Sequence, residues 1–362
     1  MRYLLPLVLL AFLVPAQAQP AAQPALDGIF SAFRSHALVG LGEHHRIQQE
    51  LDFYSALVRD PRFAEDVGNV VVEFGAGAHQ NIIDRYVNGE EVPYAELRKV
   101  WTDTVGWMPV VTGAGYPAFF AQVREVNKSL SPGKRIRVWL GEPIIDWSTI
   151  SHTEWQALVR RRDDFAAALV EREILARGKK ALIIYGGAHF EPPVPGSAGE
   201  KLVKAGQRNS VLADMIRRDH PDALYVAMFY SGTADKECAR DIERGMTGWP
   251  VPALLSPARG SFVAQKLRAC STLKAGDGDL PASLTDAEMQ QIVDLNKDVM
   301  SYADAILYVG PSGDLTYSSY IPDLYLDAEY GRIVARHYLL QMGQPMPVYP
   351  MRDYTVLKKV RP

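Results

Sequence analysis

The chain has 362 residues, 48% hydrophobic and 22% charged, with a formal net charge of −3. That is enough apolar material for a large core and too few charges for a disordered chain. The slightly acidic balance gives no electrostatic pull toward nucleic acid, so no nucleic-acid partner is expected.

Met1-Arg2 gives a positive start, Leu4 to Val14 is apolar, and Ala16-Gln17-Ala18 fits the small-x-small cleavage rule. Residues 1–18 therefore read as a signal peptide, and the protein as periplasmic or secreted. The apolar run is shorter than the roughly 20 residues of a spanning helix. No later run is long enough either, so no stable membrane insertion is expected after cleavage. No cysteine follows the cleavage site, which argues against a lipid anchor there. Cys238 and Cys270 are the 2 cysteines. In an oxidising compartment they can pair, and a disulfide is expected; the alternative is two buried free thiols.

Residues 19–25 read as a Pro/Ala/Gln linker, and Leu26 to Phe33 as a short helix. Leu38-Val39-Gly40-Leu41-Gly42 is a buried strand that stops at Glu43-His44-His45-Arg46. Ile47 to Val58 has helical spacing and is ended by Pro61. Val70 to Phe74 is the second strand, and this strand–helix–strand unit makes the two strands parallel. Gly75 to Ala78 reads as a flexible exit. Asn81 to Val87 and Tyr94 to Val100 read as helices. The run from Trp101 through Trp107 to Met108 continues toward Gly113–Pro117, which includes Tyr116. It reads as a loop lining an apolar pocket, or as rings capping the core.

Phe119 to Leu130 is an amphipathic helix. Arg135 to Leu140 is a third strand, leading to Glu142 and Asp146. Glu154 to Arg177 reads as one long helix whose Arg160-Arg161-Arg162-Asp163-Asp164 run is a solvated face. Ala181 to Tyr185 is a fourth strand, ending in Gly186-Gly187-Ala188-His189. Asn209 to Arg218 is a helix, Ala223 to Tyr230 a strand, Asp286 to Met300 a helix and Ala305 to Val309 a last strand. Strands alternate with helices and no repeat or clear linker intervenes. The expectation is one α/β domain over residues 26–350, with a mostly parallel central sheet flanked by helices, helical insertions and a C-terminal elaboration. Residues 351–362 read as a tail.

Three strand ends bring Glu43, His44 or His45, Glu73 and His189 to one edge of the sheet, where open α/β sheets bind ligands. Adjacent side chains of an extended backbone point opposite ways, so only one of His44 and His45 faces the site. Without metal, a histidine takes a proton from water while a glutamate fixes its tautomer. With metal, Glu43, His45, Glu73 and His189 are proper ligands for a divalent ion that lowers the pKa of bound water. Arg46, Trp101, Trp107, Tyr116, Glu142 and Asp146 are the candidate substrate-pocket residues. Glu142 and Asp146 could equally cap the next helix. His36, His79, His152, His220 and His337 read as surface or capping residues. No Gly-x-Ser-x-Gly elbow is present, which disfavours a serine hydrolase.

Leu41-Gly42-Glu43-His44-His45, Val72-Glu73, Asp84-Arg85-Tyr86-Val87-Asn88-Gly89, Arg162-Asp163, Gly187-Ala188-His189 and Phe229-Tyr230-Ser231-Gly232 occur in this order. In that respect the chain resembles the erythromycin esterase-like proteins and the superfamily they share with ChaN-like haem-uptake lipoproteins and Tiki-type proteases. The esterase branch implies a metal-independent hydrolase. Its glutamate–histidine pair corresponds to Glu43 with His45 or His44, and its second glutamate and histidine to Glu73 and His189. The esterase pattern places its histidine three residues after the glutamate, where this chain has Arg46. The Gly-Glu-x-His spacing of the ChaN-like branch is met by His45. The function expected is an exported hydrolase of an ester or lactone, acting on a small molecule with no required cofactor and with metal assistance as an option. The alternative is a non-catalytic haem- or metal-binding uptake protein.

Overall fold

Strands that are apolar on both faces must be covered on both faces, and the apolar runs of this chain are arranged that way. The computed structural model describes residues 21–106, 112–192, 211–233, 235–270 and 302–346. Eight strands among them form one sheet: β1 (Ala21–Pro24), β2 (Leu38–Glu43), β3 (Asn69–Ala76), β4 (Arg137–Glu142), β5 (Ala181–Gly186), β6 (Leu224–Phe229), β7 (Ala253–Ser256) and β8 (Ala305–Tyr308). Their order is β1-β7-β8-β6-β2-β5-β3-β4. From β8 to β4 every pairing is parallel, while β7 runs antiparallel to β8 and to β1.

Side-chain alternation splits each central strand between two cores. Val39, Leu41, Val70, Val72, Leu182 and Ile184 face one side. Leu38, Val71, Ala181, Ile183 and Tyr185 face the other. The first side is covered by α1 (Ala25–Ser35), α2 (Gln48–Arg59), α3 (Pro61–Asp66), α4 (Gln80–Val87), α5 (Tyr94–Leu97), α6 (Lys99–Thr102) and α7 (Gly115–Lys128). After β4 come α8 (His152–Arg160) and α9 (Arg162–Glu173). The second side is covered by α9, α10 (Leu212–Asp219), α11 (Lys236–Gly245) and α12 (Phe262–Cys270). The C-terminal elaboration is α13 (Asp323–Leu326) and α14 (Ala328–Met342), tied to α5–α6 through Arg98, whose Nη1 donates to Asp327 at 2.5 Å. The fold is thus the single α/β arrangement expected, with a mostly parallel sheet.

Several local expectations are corrected. Ala21–Pro24 is not linker but an edge strand paired with β7, because its backbone groups find partners across Ala253–Ser256. Pro61 does not merely end a helix. It sits at the first position of α3, where its missing N–H costs nothing, and Asp60 caps that helix through the Arg62 N–H. Gly75 to Ala78 is no flexible exit, since β3 runs to Ala76 and a 3₁₀ turn follows. Tyr116 lies inside α7 rather than in a loop.

The long helix over Glu154–Arg177 is two helices that break at Arg161. Ser151 and Glu154 form a capping box at the start of α8. Asp163 and Asp164 fill the first turn of α9, where carboxylates suit the helix dipole. The helix expected from Asn209 begins, among the described residues, at Leu212. The structure joins Cys238 to Cys270, with Cα atoms 6.0 Å apart. No described helix is long and apolar enough to cross a membrane. The signal segment 1–18, Trp107, Met108, the Asp286–Met300 helix and the tail 351–362 lie outside the described residues.

β2 carries glycine where its neighbours need room. A Cβ on Gly40 would meet the Phe190 ring at 2.4 Å, and Phe190 anchors the turn bearing His189. Gly40→Ala is expected to lose about 1–3 kcal/mol of stability through overpacking. Urea unfolding followed by circular dichroism reads this, and an unchanged midpoint would refute the tight contact.

Candidate functional site

Parallel neighbours end at the same edge of a sheet, and here β2, β5, β3 and β4 are consecutive. Glu43 pairs in register with Gly186. The ladder between β3 and β4 shifts register between Val72 and Ala76, so Glu73 sits within an irregularity of its strand. The four strand ends deliver Glu43, Glu73, Glu142 and, one turn past β5, His189.

Two imidazoles are each held by a carboxylate. His45 Nδ1 donates to Glu43 Oε1 at 2.7 Å, and His189 Nδ1 donates to Asp163 Oδ1 at 2.5 Å. A carboxylate only accepts, so each Nδ1 carries its proton. The Nε2 atoms then converge on a single oxygen, Glu73 Oε1, at 4.0 Å from His45 and 3.4 Å from His189. Arg162 Nη2 donates to that same oxygen at 2.5 Å and to Glu142 Oε1 at 2.7 Å. The Gly186 N–H holds Glu73 Oε2 at 2.6 Å. Beneath the site, Glu43 takes hydrogen bonds from the hydroxyls of Tyr116 at 2.8 Å and Tyr54 at 3.2 Å. Asp163 is fixed in turn by the Leu212 N–H at 2.9 Å.

Burial and charge pull on these groups in opposite directions. Burial pushes the Glu73 carboxyl up, but Arg162, His189 and His45 together hold it well below the usual carboxylate range. Burial pushes the His45 imidazole down, and the Glu73 and Glu43 carboxylates outweigh it, leaving it at about 9. His189 is likewise lowered by burial and carried up by Glu73 to about 9. Burial raises Glu142 to about 7, with Arg162 opposing and Glu73 reinforcing. The His45 side chain is 33% exposed while those of Glu73 and Glu142 are 8% and 0%. A molecule arriving from solvent therefore meets His45 first.

The expected residues divide as follows. Glu43, His45, Glu73, His189 and Glu142 come together. His44 turns away, and its Nδ1 and N–H go to Glu50 at 3.1 and 2.8 Å. Tyr116 is buried and holds Glu43 rather than lining an open pocket. Arg46 adopts a left-handed backbone with φ 71°, and its guanidinium stacks over Tyr320 at 3.8 Å and donates to the Ser318 carbonyl. It clamps the turn after β2 to the C-terminal segment. Trp101 is core, packed against Phe120, because α6 turns it inward. Asp146 is exposed and folds a local turn through Ser148 and Thr149. It borders a groove of about 770 Å³ lined by Pro143, Ile145, Ile150, Leu158 and Phe165 among others. His337 is not a surface residue. It is buried and stacks on Trp147 at 3.8 Å, and burial lowers it to about 4.

Arg162, Asp163 and Tyr54 belong to the site although the sequence pattern does not single them out for it. The Arg160–Asp164 run is not simply a solvated face, because the break at Arg161 turns Arg162 and Asp163 inward. The two adjacent residues at the amino end of α9 thus hold Glu73 and His189 respectively. Only their place in the ordered set of short motifs sets them apart.

The ligand atoms of Glu43, His45 and Glu73 lie within 4.8 Å of one another, close enough to share a metal ion. Two carboxylates and an imidazole suit a divalent cation. Arg162, already on Glu73 Oε1, opposes one electrostatically.

Fold and site together define an α/β protein with a buried acid–imidazole–guanidinium cluster at the carboxyl edge of a mostly parallel sheet. No protein-family model matches the chain, and no curated protein matches it. Among solved structures it is similar to the type III effector HopBA1, at 12% identity and TM-score 0.36, over 62% of this chain and 91% of the other. It is also similar to a Bacillus cereus protein, at 11% identity and TM-score 0.43, over 78% of this chain and 90% of the other.

Glu142 makes stability depend on pH. Its folded-state value of about 7 lies above an ordinary 4.5, so the folded protein binds this proton more tightly. That contribution is complete below about 4.5 and is lost as pH rises through 7. Glu142→Gln is expected to flatten the fall in thermal midpoint over this window. An equally steep fall in the variant would place the titration elsewhere.

Proposed function

We propose that the protein is a hydrolase that activates water with the Glu43–His45 pair and attacks a small-molecule ester or lactone. The observation that carries this reading is the convergence of two carboxylate-held imidazoles on Glu73. Such a pair supplies a base and an acid from one side-chain type. Glu43 keeps the proton on His45 Nδ1, so Nε2, once deprotonated, accepts the proton of a water molecule. The resulting hydroxide oxygen bonds to the carbonyl carbon. His189, as an imidazolium held by Asp163, donates its Nε2 proton to the departing oxygen. Glu73 and Arg162 keep the two rings and their charges in place. The resemblance to erythromycin esterase-like proteins supports the same reaction class.

His45→Ala and Glu73→Gln are each expected to lower kcat by about 10²–10⁴-fold on a hydrolysed ester while the circular dichroism spectrum is kept. Full activity in both folded variants would end the proposal. Because His45 titrates near 9, kcat/KM is expected to rise with pH toward that value. Glu43 is one cause of the high value, so Glu43→Gln is expected to move the acidic limb to lower pH and to depress the maximum.

A second reading is favoured by the clustering of Glu43, His45 and Glu73 ligand atoms. These three would hold a divalent ion, which would lower the pKa of a bound water. Metal analysis of protein purified without chelator, with activity measured before and after dialysis against a chelator, separates the two. Unchanged activity supports the metal-free scheme, and loss restored by one added metal supports the other.

A further inference from the structure

We infer that Ser231, His44 and Glu50 form a second reactive centre, in which Ser231 is a nucleophile toward activated esters and related acyl or phosphonyl electrophiles. Ser231 Oγ lies 3.0 Å from His44 Nε2, and His44 Nδ1 lies 3.1 Å from Glu50 Oε1. Glu50 only accepts as a carboxylate, so it keeps the proton on Nδ1 and leaves Nε2 to receive the serine hydroxyl proton. The second oxygen of Glu50 takes the His44 N–H at 2.8 Å, which fixes the carboxylate in two directions. Nucleophile, base and orienting acid thus stand in the relation that defines such triads, whatever their order in the chain.

The fold builds this arrangement from adjacent strands. β6 lies beside β2 in parallel, with Met228 opposite Gly42, so the residues just past each strand end are neighbours. Glu50 comes from the first turn of α2 and is 1% exposed, whereas the His44 side chain is 44% exposed. The acid is therefore sheltered and the base open to an incoming molecule. The serine loop is pinned on both sides. The Tyr230 N–H donates to the Leu307 carbonyl at 2.9 Å. Gly232 turns with φ 93°, and a Cβ there would meet Ser312 at 2.7 Å. No residue of this set takes part in the Glu73-centred reaction. The sequence has no nucleophile elbow, and Ser231 is presented by a strand end and a glycine turn instead.

In the reaction Ser231 Oγ bonds to the electrophilic carbon or phosphorus, and its proton passes to His44 Nε2. The bond to the leaving group breaks, and an alkoxide leaving group takes the proton from His44. Water then attacks the acyl-serine, giving one proton to His44, which returns it to Ser231 as the acid departs. With a fluorophosphonate the phosphorus–fluorine bond breaks, fluoride leaves, and the adduct remains on the serine.

Incubation of the full chain with a fluorophosphonate, followed by peptide mass spectrometry, tests this directly. A single adduct on Ser231 is expected. Ser231→Ala is expected to abolish it, and His44→Gln to slow it by about 100-fold or more. Glu50→Gln is expected to slow it by a smaller factor, with circular dichroism confirming that each variant is folded. An unmodified Ser231, or labelling of Ser231 at the wild-type rate in folded His44→Gln, would overturn the inference. Because the readout is covalent mass on one residue, it is independent of whether the Glu73 site turns over an ester.

Discussion

A carboxylate buried beside the end of a parallel sheet is the constraint around which this structure is organised. Glu73 is 7% exposed, and an ionised carboxylate at that depth is unfavourable unless cations and N–H groups surround it. Arg162, His189, His45 and the Gly186 N–H do so, from α9, the turn after β5, the turn after β2 and β5 itself. The cluster thereby ties β3 to α9, to β5 with its following turn, and to the turn after β2. Glu73 in turn raises both imidazoles, against Arg162, which lowers them, so stability and chemistry share one set of contacts.

The second layer of contacts explains why the rings are oriented. Glu43 is held by two tyrosine hydroxyls from α2 and α7, and Asp163 by a backbone N–H at the start of α10. Each carboxylate has its own partners before it meets a histidine. Loosening Tyr54, Tyr116 or the α10 terminus would therefore reach the imidazoles without touching them. The edge of the sheet also carries a second polar assembly a single residue away, because consecutive side chains at the end of β2 diverge. His45 turns toward Glu73, and His44 turns toward Glu50 and Ser231.

Part of the site is legible in the amino-acid pattern. Glu43, Glu73, Glu142 and His189 each follow an apolar run, and a charged or imidazole group at the end of a buried strand stands out against its neighbours. Arg162 and Asp163 do not stand out in the same way. They lie in a run of five charged residues, and such runs are ordinarily solvated. Only the helix break at Arg161 and the position of α9 turn two of them inward. Tyr54 looks like one more core residue of an amphipathic helix, since its ring is buried and only its hydroxyl reaches Glu43. Trp101 misleads in the opposite sense, because an aromatic beside glycines suggests a pocket and the chain places it in the core.

The amino-acid sequence by itself determined the alternation of strands and helices, the burial of the central strands on both faces, and which acids and imidazoles end those strands. These are local properties, set by side-chain period and by the few residues that stop a run. The tertiary structure alone decided that β2, β5, β3 and β4 are neighbours, that His45 rather than His44 faces Glu73, and that Arg162 and Asp163 complete the cluster. Those outcomes depend on strand order, on register and on where one helix breaks. They are set by packing between segments far apart in the chain, which no local pattern encodes.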